Sequence, residues 1–186
     1  MSASFLLTLC FLLAIPSATV ADHTSVLTTD PQAIKNVEKP CSRTQKPELC
    51  SKSLITFPES ATAGPHQLAG LAIRFAANQG MQTSGHLADM VRELEKKESI
   101  QQCVQECSDR FSEAVDLLDT TTASLDAKDY KHVHIWVTAA QDTAKICIQG
   151  CKECGVKAED MGVVQKKVDD FLDLCSIALV LAKHDH

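Results

Sequence analysis

The chain has no excess of positive charge. Its 186 residues carry 18 Lys and Arg against 24 Asp and Glu, a net charge of -6. A general nucleic-acid binder needs a basic face to displace counterions from phosphates, so that class is excluded and a basic partner fits better. Glycine (7) and proline (6) are scarce. Wrapped β architectures need more turn residues, so the balance tips towards helices. No apolar run reaches the ~20 residues that span a bilayer. A Gly-rich phosphate loop, a nucleophile elbow and a His-Glu-x-x-His motif are all missing, as is an Asn-x-Ser/Thr glycosylation site. Neither catalysis nor a cofactor is expected.

Histidines offer no substitute. His184-Asp185-His186 ends the chain, where solvated residues are the rule. His132 and His134 are two apart, and such residues do not share a helix face. The 45% apolar and 23% charged content is that of one ordinary globular domain.

What the chain has in quantity is cysteine, nine in all. Phe5–Ile15 is an apolar run of 11 uncharged residues, followed by Pro16 and then small residues up to Ala21. This predicts a signal peptide over 1–21, with Thr19-Val20-Ala21 as the cleavage site and Asp22 as the mature start. An N-terminal core helix is the alternative, because residues 1–4 lack Lys and Arg. A secreted chain leaves eight cysteines after cleavage, an even number that reads as a disulfide framework.

Residues 22–31 are polar, two short helices follow, and from His66 onward helical periodicity dominates. Asp30 and Pro31 predict a helix start, with a short helix over about 31–38 stopped at Pro40. Pro47 opens a second short helix carrying Cys50. Leu68, Leu71, Ala72 and Phe75 begin a long apolar stripe, which Gly80 and Gly85 weaken and Leu87, Val91 and Leu94 resume. A second stripe runs through Cys103, Cys107, Phe111 and Leu118, and a third through Val133, Val137, Ala144, Cys147 and Cys151. Gly155 is placed to cap the third helix, and a last helix from about Glu159 carries Phe171 and Cys175 inward. The expected fold is all-α: an up-down-up-down four-helix bundle over 64–183 with an N-terminal helical hairpin over 31–60, stapled by disulfides.

Level arithmetic then pairs the cysteines. Counted from a turn near residue 127, Cys107 and Cys147 stand twenty residues to either side, and Cys103 and Cys151 twenty-four. Two rungs are therefore expected, Cys107–Cys147 and Cys103–Cys151, with Cys41–Cys50 as a local bridge in the hairpin. Loops of about 40 residues make each rung worth a few kcal/mol. Cys175 lies about twelve residues of rise beyond the level of Cys154, out of bonding reach. Both are expected free, Cys175 buried and Cys154 more accessible, so that Cys154 could link two otherwise monomeric copies. Zinc held by Cys147, Cys151 and Cys154 with histidine is the competing reading.

Four segments carry a family likeness. Residues 41–54, CSRTQKPELCSKSL, have two cysteines separated by eight residues. Residues 107–118, CSDRFSEAVDLL, follow a Cys-Leu-Glu-Leu-Tyr-x-x-Ala-Val-Asp-x-Leu pattern, and 129–140, DYKHVHIWVTAA, an Asp-Tyr-x-x-Val-x-x-Trp-Val-Ser-Ala-Ala pattern. Residues 171–183, FLDLCSIALVLAK, match a closing helix. In this order and spacing the chain resembles the plant invertase/pectin methylesterase inhibitor family. The resemblance implies a four-helix bundle with one bridge in its hairpin and one between its central helices. It also implies a secreted, apoplastic protein that binds an enzyme and blocks its substrate cleft.

The family's invertase inhibitors insert a Pro-Lys-Phe-type motif, where this chain has Asp129-Tyr130-Lys131. Trp136 to Ala140 look like the esterase-inhibitor branch. By resemblance, Asp109, Glu113 and Asp116 face the esterase, joined by Thr143 and Ile146 on the strip before Cys147. Read without the resemblance, the three carboxylates are a solvated face. In that strip Lys145 stands where the family often has Asp, and Ile146 where it has Thr. Pectin methylesterase is the expected partner, acid invertase the alternative. A secreted helical lipid- or small-ligand-binding protein is the reading from another class, although the adjacent-cysteine pattern of lipid-transfer proteins is missing. A storage or defence protein with a purely structural role is a further one, which the low glutamine content disfavours.

Overall fold

A computed structural model describes residues 30–94 and 98–183. The expected signal peptide and the histidines of the C-terminus lie outside the described residues. The described residues form six α-helices and no strand.

Helix α1, Pro31–Cys41, starts as expected: Asp30 accepts a hydrogen bond from the Gln32 N–H at 2.8 Å, and Pro31 occupies the first position. It does not stop at Pro40. Proline removes only its own N–H, and the last turn still closes because Ser42 N–H donates to Glu38 O at 2.9 Å. That extra turn buries Cys41 against α2, Pro47–Leu54. A single 3-10 turn, Pro58–Ala61, leads into the bundle. Asn36 ties α1 to this segment, its Nδ2 donating to Ser60 O at 2.7 Å and Ala63 O at 2.8 Å.

The bundle comprises α3 (Pro65–Glu93), α4 (Glu98–Asp126), α5 (Tyr130–Glu153) and α6 (Ala158–Lys183). Each packs on the next, and α6 closes the ring against α3. The connections are short, so neighbours run antiparallel. Between α4 and α5, Lys128 takes a positive φ of 56° and Asp129 N–H returns to Ser124 O at 2.8 Å. At the end of α5, Gly155 adopts φ +72°, the left-handed conformation that suits glycine after a helix.

Helix α3 runs unbroken through Gly80. A Cβ at that position would lie 2.7 Å from Val115 Cγ2 and 3.1 Å from Phe171 Cε2. The glycine lets α3 approach α4 and α6 closely; it does not weaken the helix into two. Nearby, the Ser84 hydroxyl lies 3.1 Å from that of Ser108 and 3.0 Å from that of Ser112, so small hydroxyls line the α3–α4 seam. Phe111 and Phe171 fill the bundle centre.

The two ends of the bundle are held differently. The α1–α2 hairpin packs on α3 and α6, and Lys46 pairs with Asp173 at 3.3 Å. The far end, where α4 begins and α5 finishes, is held by disulfides between those two helices. No described helix is long and apolar enough to cross a membrane.

Candidate functional site: an exposed face of α4 and α5

Residues 109, 113 and 116 recur at helical spacing, which places them within an arc of about 60° on α4. All three carboxylates are exposed. Their surroundings differ. Asp109 Oδ1 accepts from Gln105 Nε2 at 2.8 Å. Glu113 Oε2 accepts from Arg110 Nη1 at 2.8 Å, so part of its charge is already neutralised. Asp116 makes no such ion pair among the described residues, and it borders a shallow hollow of about 200 Å³ with Met81, Ser84, Ser112 and Val115.

The α5 side presents different chemistry. Ile146 is 56% exposed, unusual for a large aliphatic side chain, while Thr143 is half-buried. Lys145 is paired with Asp142 at 2.8 Å, so the lysine adds no net charge locally. Gln141, in the same strip, turns inward: its Nε2 donates to Leu172 O at 3.1 Å and to Ser176 Oγ at 3.0 Å on α6. The Cys107–Cys147 bridge sets the level of the two helices, bringing Ile146 beside the level of Asp109 and Thr143 about one turn further along.

Met81 on α3, 53% exposed, was not among the expected contact residues. The signal that finds it is its place off the Leu68–Phe75 stripe, in a helix whose other large apolar side chains are buried or half-buried. Asp129, Tyr130 and Lys131 lie at the opposite end of the bundle. Asp129 caps α5: its carboxylate accepts from His132 N–H at 3.2 Å and faces His132 Nδ1 at 2.6 Å. These contacts hold the Asp129 carboxyl below its ordinary value.

The cysteine pattern agrees with expectation in part. Cys41–Cys50 and Cys107–Cys147 are bonded, with Cα atoms 5.5 Å and 4.3 Å apart. The second rung is not Cys103–Cys151. Cys103 is bonded to Cys154 across a Cα separation of 6.4 Å, and Cys151 is free and buried. Level alone does not decide pairing; direction does. Seven residues bring a helix back to within about 20°, so Cys154 stays on the α4 side with Cys147. Four residues rotate by about 40° the other way, which turns Cys151 into the core.

Cys154 is therefore not the accessible thiol expected, and its sulfur is unavailable for linking two copies. Cys175 is free and buried as expected, and burial pushes its thiol far up. The zinc reading loses its donor set in this state. Cys107, Cys147 and Cys154 are all in bridges, leaving Cys151 as the single thiol in the cluster.

A family profile described as plant invertase/pectin methylesterase inhibitor matches residues 35–181. The chain is 27% identical over 111 residues to an Arabidopsis thaliana protein named cell wall / vacuolar inhibitor of fructosidase 2, a match covering 60% of this chain and 62% of that one. It is 26% identical over 142 residues to a pectinesterase inhibitor of Actinidia deliciosa, covering 76% and 75%. A crystal structure of a mutant pectin methylesterase inhibitor from Arabidopsis superposes with a TM-score of 0.64 at 23% identity, covering 80% of this chain and 96% of that one. That likeness shows the shared fold.

Proposed function

The chain belongs to the plant invertase/pectin methylesterase inhibitor family, and from that premise we propose that it is a secreted inhibitor of pectin methylesterase that docks through the outward face of α4 and α5. Members of this family inhibit enzymes and are not enzymes themselves. The observation that supports the reading is the exposure of two apolar side chains, Ile146 on α5 and Met81 on α3, on the two helices that pack against α4 with its exposed carboxylates Asp109, Glu113 and Asp116.

Such a face suits a protein partner. A stable interface buries roughly 800 Å² on each side, with apolar anchors at its centre and charge at its rim. Ile146 and Met81 would supply the dry contacts. The carboxylates would steer a basic surface into register and raise the association rate more than the final affinity. Inhibition then follows from bulk: a rigid bundle seated beside the active cleft excludes a polymer substrate.

Esterase is favoured over acid invertase by the segment at 129–131. Asp129 is committed to capping α5, and the chain has no Pro-Lys-Phe there to insert. Secretion into the apoplast is supported by the apolar run Phe5–Ile15 and by three disulfides.

The test is a titration of the purified protein into a plant pectin methylesterase and, separately, an acid invertase. A stoichiometric fall in pectin demethylation at mildly acidic pH is expected. A fall in sucrose hydrolysis alone would transfer the proposal to invertase. No effect on either, with a fluorescent lipid bound, would replace it with a ligand-carrying bundle.

A further inference from the structure

The sulfur atoms of Cys107, Cys147 and Cys151 lie within 4.8 Å of one another. Two of them form a disulfide and the third is a thiol with no solvent exposure. Three sulfurs thus hold one bond between them. We propose that Cys151 is an exchange partner for this bridge, able to replace Cys147 as the sulfur bonded to Cys107.

The chemistry balances without an outside oxidant. The Cys151 thiolate attacks Cys107 Sγ and forms a new S–S bond. The Cys107–Cys147 bond breaks, and Cys147 leaves as a thiolate that takes up the proton Cys151 released. One disulfide and one thiol exist before and after. Burial holds the Cys151 thiol above its ordinary value, so its thiolate is scarce in the folded state and exchange is slow.

Position decides the consequence. Cys151 is one turn beyond Cys147 and belongs to the last turn of α5, which ends at Glu153. Exchange therefore moves the clamp between α4 and α5 by one helical turn, about 6 Å along the axis. The last turn of α5 has to repack to allow it, while Cys103–Cys154 keeps the two helices joined. Thiol–disulfide exchange would in this way release the stretch of α5 carrying Thr143 and Ile146 from its bridge to α4 and clamp the helix one turn further on. That effect on docking rests on the inhibitor reading above; the change of bridge does not, and it is measured separately.

The experiment maps bridges in the full chain. Wild type and Cys147→Ser are equilibrated in a glutathione redox buffer, quenched in acid, unfolded, alkylated and digested for mass spectrometry. In Cys147→Ser, oxidised glutathione accepts the two electrons, and a linked Cys107–Cys151 peptide is expected with no label on either residue. In wild type, label is expected at Cys147 in a fraction of molecules, and is lost in Cys151→Ser. Helical Cys147→Ser protein with both Cys107 and Cys151 labelled would overturn the proposal. Should that variant not fold, wild type with no more Cys147 label than Cys151→Ser would overturn it equally.

Discussion

Phe111 and Phe171 meet edge to face between α4 and α6, ring centroids 5.4 Å apart, at the centre of the bundle. Gly80 lies against the same Phe171 ring. Two glycine substitutions on α3 are therefore expected to act in opposite directions. In an open helix Gly→Ala stabilises by about 1 kcal/mol. Gly85 has nothing within 4 Å of its added Cβ, so Gly85→Ala is expected to realise that gain. Gly80→Ala drives a methyl group into Val115 and Phe171, and overpacking of a core costs about 1–3 kcal/mol. Urea melts are expected to show Gly80→Ala below wild type and Gly85→Ala above it. Phe171→Ala is expected to lose about 3–5 kcal/mol.

The two free thiols among the described residues, Cys151 and Cys175, are both buried at 0% exposure. Burial raises both above the ordinary thiol value. Neither is expected to react with maleimide in the folded protein near neutral pH, because the attacking species is an exposed thiolate. Labelling of Cys151 and Cys175 is expected to follow the urea unfolding curve. Rapid labelling of Cys175 without denaturant would contradict the packing of α6 described above.

Much of this architecture was legible in the residues. The 3.6-residue stripes located four long helices, and short connections made them antiparallel. Counting outward from the α4–α5 turn found Cys107–Cys147 because those two lie at one level and on facing stripes. The same count misplaced Cys103, since it measures height along the axis and not direction around it. Cys154 also sits at the cap of α5, beyond its last helical residue. Local propensity disfavours both Gly80 and Pro40, and each is kept for a different reason: close packing against Val115 and Phe171 at the glycine, and a last turn that still closes through Ser42 N–H and Glu38 O at the proline. Of the candidate face, periodicity could show that Asp109, Glu113 and Asp116 point outward. It could not group Met81 with them, because that grouping depends on how α3 packs beside α4.

Asp129 provides a pH-dependent contribution at the start of α5. Its carboxyl is held below the ordinary aspartate value of 3.8, chiefly by the His132 side chain and then by the His132 backbone N–H. A group lowered on folding stabilises the native state above its unfolded value, and the gain is lost as pH falls through the folded value. Asp129→Asn keeps an acceptor for the cap but removes the charge. Wild type is expected to melt above Asp129→Asn at about pH 6, with the gap narrowing as pH falls below the unfolded value and through the lower folded one. A gap that is constant with pH would mean that the cap acts only through its hydrogen bond.

Apolar and acidic parts of the proposed docking face make separable demands on a target. Ile146 is 56% exposed, so Ile146→Ala is expected to change the melting temperature little. If it anchors the interface, its truncation weakens inhibition by about tenfold or more, the equivalent of ~1.4 kcal/mol, and does so equally at low and high salt. Asp116 has no ion-pair partner among the described residues, so Asp116→Ala removes a charge without breaking a bond within the fold. Its expected signature is a slower association rate at low salt, fading as salt screens the field over about 10 Å at 0.1 M. Stopped-flow association with pectin methylesterase at two ionic strengths separates the cases. Loss of affinity at Asp116 that persists in high salt would place this carboxylate in the buried centre of the interface, and the basic group it meets would then be buried with it.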